Sequence, residues 1–279
     1  MNLPTHVTAL VLLAALMHAS WNAIVKSSAN KLLDAATLSI AAGVMCVVVL
    51  PVLPIPYRAS WPWLAASVVL HVLYFLTLAA AYRWGDLSHT YPLMRGTAPL
   101  LVALTGVFLL EDRLTAGMWA GILLISIGIL APALWRPQAV SAKATLIALS
   151  NAAIIASYSL VDGFGTRASG DAAGYCAWIF ILDAPPIALV ALAIHRARVW
   201  TYAAQRWKPC TVGATCTLGA YGIVLWAMTQ APIAAVAALR ETSVIFAAVI
   251  GSTLLKEQVG RPRIAGAVLV ACGVAALRL

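Results

Sequence analysis

Charged residues are scarce in this sequence of 279 residues, since 18 basic and 9 acidic residues together make up only 10% of the chain. Soluble globular domains carry about 25% charged residues, because a packed core needs a polar surface around it. A hydrophobic content of 63% excludes an intrinsically disordered chain as well. The composition therefore predicts an integral membrane protein whose apolar surface faces lipid.

Several chemical motifs are also missing. The five cysteines form no CxxC pair, and the sequence contains neither GxxxxGK[ST] nor HExxH. We therefore expect no disulfide, no metal site, no cofactor and no direct use of ATP. The basic residues stand singly in short gaps between apolar runs, a distribution that argues against binding to nucleic acid.

Long apolar runs are abundant by contrast, and ten of them approach the roughly 20 residues that a helix needs to cross a bilayer. They are continuously apolar rather than alternating, so they predict helices and not a β-barrel. The first run follows no basic segment and is predicted to be a membrane span, not a removed signal peptide. The fold class is therefore an all-α integral membrane protein with ten transmembrane helices. The runs lie at Leu3–Val25, Leu32–Pro54, Trp61–Tyr82, Thr90–Leu110, Thr115–Trp135, Ala142–Asp162, Ala172–Ile194, Cys210–Thr229, Pro232–Leu254 and Arg263–Leu277.

The basic residues in the gaps predict the orientation of the chain. Four of them fall on the side of the N-terminus, twelve fall on the opposite side, and two lie inside spans. Because cytoplasmic loops carry an excess of Lys and Arg, both termini are expected outside the cytoplasm. The expected location is the cytoplasmic membrane of a bacterium.

The sequence also matches itself. Ala19–Trp21 resembles Ala156–Tyr158 at an offset of 137, and Arg95 meets Arg240 at an offset of 145. Five spans in each half is an odd number, so the halves enter the membrane in opposite directions. This pattern predicts two five-helix inverted repeats, over residues 1–140 and 141–279, with a substrate site near the membrane midplane.

The end of each half carries an acidic turn followed by two glycines seven residues apart. The matching segments are Leu110–Leu114 with Gly121 and Gly128, and Leu255–Val259 with Gly266 and Gly273. With the ten spans, this pattern resembles the EamA-type transporters of the drug/metabolite transporter superfamily. The resemblance implies a central cavity lined by the first, third and fourth helices of each half. It leaves the substrate open, since the family carries amino acids, nucleosides, sugar phosphates, organic anions and toxic compounds. Better-known relatives have cytoplasmic termini, whereas the charge distribution here predicts the reverse.

Polar side chains inside apolar spans are costly in hydrocarbon and are therefore functional candidates. In the first span His18, Trp21 and Asn22 share one helix face, and in the third span His71 and Tyr74 do so. We expect Trp21, Asn22, His71 and Tyr74, with Tyr158 in the sixth span, to bind substrate. Packing between helices is the alternative role. His18 and His71 are candidates for proton coupling, because imidazole is the side chain that titrates near neutral pH.

Arg95 and Arg240 give a sharper hypothesis. They occupy equivalent positions in the two halves, and Pro92, Pro99 and Pro232 nearby predict broken backbone around them. A guanidinium offers a planar fork that matches a carboxylate or a phosphate, so both arginines are predicted to bind substrate. The alternative is that they snorkel to the membrane surface, with an ion pair from Arg240 to Glu241.

Together these observations predict a secondary transporter that moves a small anionic or zwitterionic metabolite, such as an amino acid, organic acid or phosphonate, by alternating access. An exporter of cationic or toxic compounds is the alternative, because Asp162, Asp183 and Glu241 lie in or near spans. The first span lacks the membrane glutamate of small four-span exporters of cationic drugs. An enzyme or a channel is disfavoured. The GxxxG motif at Gly117–Gly121 is expected to pack helices within the fold, and the carrier is a monomer or a homodimer.

Overall fold

The computed structural model describes residues 3–28, 30–110, 114–134, 141–253 and 260–279. The structure is 89% helix, and the described residues contain no strand. Two short 3₁₀ helices, Leu50–Val52 and Arg58–Ser60, precede the third long helix. The α-helices are α1 Thr5–Lys26, α2 Lys31–Val49, α3 Trp61–Trp84, α4 Leu87–Leu110, α5 Ala116–Leu134, α6 Ala142–Ser169, α7 Ala172–His195, α8 Arg198–Gln230, α9 Ile233–Arg240, α10 Ser243–Thr253 and α11 Arg261–Ala276.

Side chains and a glycine mark several helix ends. The side chain of Asn30 accepts a hydrogen bond from the Leu33 amide at 3.1 Å and caps α2. Asp171 caps α7 in the same way through the Gly174 amide at 2.6 Å. Gly170 has a φ of 79° and ends α6, which is the left-handed conformation that glycine adopts without strain. The sharp α6–α7 turn is therefore encoded locally.

Each of the ten predicted runs contains helix within the described residues, and eight segments are long and apolar enough to cross a membrane. The protein is thus a multi-pass, all-helical membrane protein. Two helices fall outside these eight: α4, which carries Arg95, and α11, which has only 16 residues. The arrangement of ten spans as an inverted repeat stays a prediction.

Three helices differ from the sequence expectation. The ninth run is not one helix, because α9 and α10 are separated at Glu241 and Thr242. The expected break near Pro92 and Pro99 is wrong, since α4 continues through both prolines. Neighbouring membrane helices can satisfy the backbone groups that proline frees. Helix α8 begins at Arg198, twelve residues before the predicted run, because an apolar-run criterion detects only the hydrocarbon part of a helix.

The helices pack in pairs around a buried centre. Helix α1 packs on α8, α3 on α6, α2 on α7, α4 on α9, and α5 on α11. Every residue of α9 is buried, and the largest apolar cluster gathers around it. The segment Ile233–Arg240 therefore runs through the middle of the molecule, where it can present polar side chains only to other helices.

Helices α5 and α11 approach so closely that only glycine fits between them. A Cβ atom on Gly121 would lie 2.7 Å from the Gly273 carbonyl oxygen, and one on Gly128 would lie 2.6 Å from the Gly266 carbonyl oxygen. A Cβ atom on Gly117 would meet the Ala276 carbonyl oxygen at 2.9 Å. The expectation that Gly117–Gly121 packs helices within the fold is confirmed. The acidic turns at 111–113 and 256–258 lie outside the described residues.

Candidate functional site

The break between α9 and α10 places two charged residues at a helix end deep inside a span. The amides of Glu241 and Thr242 bond to the carbonyls of Ala238 and Leu239 at 3.0 and 3.1 Å, which tightens the last turn of α9. The new helix, α10, starts at Ser243. Discontinuous helices of this kind form binding sites in transporters, because their ends offer unpaired backbone groups and helix dipoles. The predicted backbone break near Arg240 is therefore present, although Pro232 lies eight residues before it.

Arg95 from α4 and Arg240 from α9 meet at this break. The Arg95 Nε lies 2.7 Å from Glu241 Oε2, and the Arg240 Nη2 lies 3.4 Å from Glu241 Oε1. The three residues are only 6%, 5% and 1% exposed respectively. Neither arginine reaches the surface, so snorkelling is wrong, whereas the ion pair between Arg240 and Glu241 is present.

Two guanidinium groups share one carboxylate here, which leaves one positive charge in excess. Among the described residues, the buried Arg95 Nη2 and Arg240 Nε have no hydrogen-bond acceptor. Buried polar groups are almost always hydrogen-bonded, and an unpaired one costs about 1–3 kcal/mol. The site therefore combines an excess of positive charge with unsatisfied hydrogen-bond donors.

Aromatic side chains form a wall beside the arginines. The Arg240 Cζ lies 5.9 Å from the centre of the Tyr158 ring. The His71 ring stacks on Tyr158 at 4.8 Å, and the Tyr74 ring lies 5.9 Å from Tyr158. The structure thus brings together Arg95, Arg240, His71, Tyr74 and Tyr158, five of the residues that the sequence predicted.

The predicted residues of α1 stand further away. His18 is within electrostatic range of Arg95 and Arg240. The Trp21 Nε1 donates to His18 Nδ1 at 3.3 Å, and the Asn22 side chain donates to the His18 carbonyl at 2.8 Å. Trp21 packs against apolar residues of α2 and α8, among them Leu38. The recorded contacts therefore connect Trp21 and Asn22 to the arginines only through His18.

A second polar group continues on the other side of His71. The His71 Nδ1 lies 3.1 Å from Asp183 Oδ2 and 3.2 Å from Ser67 Oγ. The Tyr221 hydroxyl donates a short hydrogen bond to Asp162 Oδ2. Helices α3, α6, α7 and α8 thus each contribute one polar side chain or more to a group that touches the aromatic wall.

Sequence reasoning placed none of these acids in the predicted site. Asp162 and Asp183 were recognised only as charged residues in or near spans, and Glu241 only as an alternative ion-pair partner of Arg240. Ser67 was placed on the helix face of His71 and Tyr74 without a binding role, and Tyr221 was given none. The cost of burying a polar group in an apolar span could have found all of them. What it could not supply is the partner of each, because those partners come from distant helices.

A separate polar contact joins α2 to α8 near one end of both helices. Asp34, which is fully buried, accepts hydrogen bonds from the Tyr202 hydroxyl at 2.7 Å and from Arg206 Nη2 at 2.9 Å. The Cys210 Sγ lies 3.7 Å from the same carboxylate. We call these four residues the α2–α8 lock. It joins α2 to α8 through side chains alone.

The fold is shared with a solved protein. One crystal structure superposes with a TM-score of 0.72, covering 98% of this chain and 96% of that chain. The identity is 16%, so this likeness shows the fold alone. No curated protein matches the sequence significantly.

The family comparison is more informative. The sequence profile of the EamA-like transporter family matches residues 142–279, which contain α6 to α11 and the buried Arg240 and Glu241. This confirms the resemblance that the repeated glycine pattern indicated. Members of the family are transporters and not enzymes, which fits the expectation for this chain. Residues 142–279 are thus shown to belong to the EamA-like transporter family, part of the drug/metabolite transporter superfamily.

Proposed function

We propose that the protein is a secondary transporter for a small anionic or zwitterionic metabolite, whose acidic group binds between Arg95 and Arg240. The observation that carries the proposal is the pair of buried guanidinium groups that share a single carboxylate, Glu241. A carboxylate, phosphonate or phosphate on the substrate supplies the missing negative charge. The planar fork of arginine suits such groups better than a point charge does.

The rest of the substrate lies against the aromatic wall in this proposal. Tyr158, Tyr74 and His71 offer flat apolar faces together with hydroxyl and imidazole groups. His18 of α1 lies within electrostatic range of both arginines. Trp21 and Asn22 contribute by fixing His18, which their side chains contact directly.

Alternating access requires two bodies that move against each other, and we assign them to residues 1–140 and 141–279. The helix pairs support this division. If α1 to α5 correspond in order to α6, α7, α8, the broken helix α9–α10, and α11, then the α1–α8 contact repeats as α3–α6. The pairs α2–α7, α4–α9 and α5–α11 each join corresponding helices. A pseudo-two-fold axis between inverted halves produces this pattern.

A second candidate, the export of cationic compounds, is favoured by one observation. Asp162 is 1% exposed, and Asp183 lies close to it through His71, so the interior also holds negative charge. A cation that binds there would leave the arginines without a role in substrate binding. The two proposals therefore differ in which charge of the ligand stabilises the protein.

A thermal-shift assay on purified protein in detergent separates them. We expect that one class among carboxylates, phosphonates, phosphates and amino acids raises the melting temperature of the wild type. A ligand at 100 times its Kd stabilises by about 2.7 kcal/mol. The Arg240→Gln variant should lose this stabilisation, while Arg83→Gln, which changes an exposed arginine, should keep it.

Counterflow of the stabilising compound in vesicles then tests transport. Stabilisation by organic cations alone, equal in the wild type and Arg240→Gln, would reject the anion site and leave the cation exporter. Stabilisation by anions that persists in Arg240→Gln but vanishes in Arg83→Gln would reject the assigned position.

A further inference from the structure

We propose that His71, Asp162, Asp183 and Tyr221, here called the acidic cluster, form a proton-binding site coupled to the arginine site, so that a proton and an anionic substrate travel together. The inference rests on the proposed function for its coupling, but the proton site itself stands on its own geometry. It assigns a driving ion and adds Asp162 and Asp183 to the residues that work in transport.

The first step is the grouping of polar side chains in the cluster. Tyr221 donates to Asp162, and His71 Nδ1 lies 3.1 Å from Asp183 and 3.2 Å from Ser67 Oγ. His71 is also within electrostatic range of Asp162, so α8, α6, α3 and α7 bring two acids, a histidine and a tyrosine together. Acids and histidines grouped in this way carry protons in membrane pumps and transporters.

The second step is the incomplete pairing of the two acids. Asp162 Oδ1 and Asp183 Oδ1 are buried, and neither has a hydrogen-bond donor among the described residues. The side chains of His71 and Asp183 are 13% and 14% exposed, so both are nearly enclosed. A carboxylate oxygen without a donor in an apolar interior is costly, whereas a bound proton removes its charge.

The third step is the charge around the cluster. Among the described residues, the ionisable groups around the cluster are Tyr158, Tyr175, Cys176 and Arg240. Arg240 is the one permanent cation in this set, and Glu241 already shares it. The two carboxylates of the cluster therefore have too little positive charge around them, and a proton shared between them and the His71 imidazole restores the charge balance.

The fourth step fixes the sign of the coupling. Arg240 acts electrostatically on Asp162, and the Tyr158 ring lies between the arginine and His71. An anion bound to the arginines offsets the positive field that Arg240 exerts on the Asp162 carboxylate. Anion binding therefore favours proton binding, and linkage requires that the proton favours the anion by the same factor. The proton enters from the open side of the carrier, crosses with the anion and leaves on the other side.

Infrared difference spectroscopy of the purified, ligand-free protein tests the proton site. Between high and low pH, the wild type should gain the C=O stretch of a buried protonated carboxylic acid. Asp162→Asn and Asp183→Asn should each lose or shift this band, whereas Asp171→Asn should keep it, because Asp171 caps α7 outside the cluster. An unchanged amide I band shows that each variant is folded. The same pH difference spectrum in the wild type and both cluster variants would overturn the inference.

Proton uptake in weakly buffered detergent solution tests the coupling, with succinate, L-alanine, inorganic phosphate and methylphosphonate as probes. The wild type should take up about one proton for each bound molecule of a probe that stabilises it, and its affinity for that probe should rise as the pH falls. Asp162→Asn should bind without uptake. Stabilisation of the wild type without uptake would overturn the coupling. The infrared band without stabilisation by any of these probes would uphold the proton site and count against the anion proposal.

Discussion

The charge balance at Glu241 is the most consequential feature at the scale of single residues. One carboxylate neutralises two guanidinium groups that are almost completely buried. Removing the shared partner leaves two cations in an apolar interior, while removing one arginine leaves a matched pair. The two kinds of substitution should therefore have unequal costs.

We expect Glu241→Gln to lower the free energy of unfolding by about 3–5 kcal/mol, because removing one partner of a buried ion pair leaves an uncompensated charge in the interior. Arg95→Gln introduces the same amide but leaves Glu241 with Arg240, so its effect should be clearly smaller. Thermal unfolding of the two variants in one detergent measures the order. Equal loss, or a greater loss in Arg95→Gln, would show that Glu241 is not the limiting charge.

The sequence could identify Arg95 and Arg240 because an ionisable group inside an apolar run is rare and expensive. It could not show that both contact Glu241, since that contact depends on the turn between α9 and α10. Spacing on one helix placed Trp21 and Asn22 beside His18 correctly. Spacing does not reveal which neighbouring helix a face meets, and Trp21 in fact packs towards α2 and α8.

At the scale of helices, the apolar runs predicted the elements well because hydrocarbon thickness sets the length of a span. Pro232 indicated broken backbone near Arg240, but the position of the break at Glu241 and Thr242 was not predicted, since Ala238 to Ser243 contains neither glycine nor proline. In α4 the sequence predicted a break that the structure does not contain, because two prolines are tolerated where other helices surround the backbone. Tertiary packing decides both cases.

Two Gly→Ala changes, one at the α5–α11 contact and one in α8, should have opposite effects on stability. In Gly128→Ala the new Cβ would lie 2.6 Å from the Gly266 carbonyl oxygen, which belongs to the backbone and cannot turn away. We expect destabilisation of about 1–3 kcal/mol from overpacking. In Gly222→Ala the nearest atom is the Cys176 sulfur at 3.7 Å, and lower chain entropy should stabilise the protein by about 0.4–1 kcal/mol.

Melting temperatures of both variants check this difference. A Gly128→Ala protein as stable as the wild type would mean that α5 and α11 separate easily. Destabilisation by Gly222→Ala would instead mean that α8 has no room for a methyl group beside α7.

At the scale of the whole molecule, the α2–α8 lock joins residues 1–140 to residues 141–279. If the two halves rock, this contact must break whenever its end of the bundle opens. Cys210 reports on that opening, because it is 1% exposed and lies beside Asp34. Access of a reagent to this thiol therefore measures how often the lock is open.

We expect Arg206→Gln to raise the labelling rate of Cys210 by a membrane-impermeant maleimide severalfold, in a protein whose other four cysteines are replaced by alanine. Arg206 is about one third exposed, so the ion pair is partly screened and the effect should be moderate rather than absolute. Lys208→Gln, which changes an exposed cation two residues away, should leave the rate unchanged. Equal rates in all three proteins would show that the ion pair does not hold α2 and α8 together.

The charge distribution predicts the orientation of the entire chain. With twelve basic residues on one side and four on the other, the C-terminus should lie outside the cytoplasm. An alkaline phosphatase fused after Leu279 should then be active in intact cells, and a green fluorescent protein at the same place should be dark. A bright fluorescent fusion with inactive phosphatase would reverse the orientation and move the α2–α8 lock to the outer face.

The α5–α11 contact has a further consequence for assembly. Gly121 aligns with Gly266 in the sequence, and Gly128 aligns with Gly273. In the structure Gly121 contacts Gly273 and Gly128 contacts Gly266, so the two halves use the same glycine positions on both sides of one interface. This contact does not depend on a peptide bond between the two halves. Residues 1–140 and 141–279, produced from two separate genes, should therefore associate through it and reconstitute the transporter.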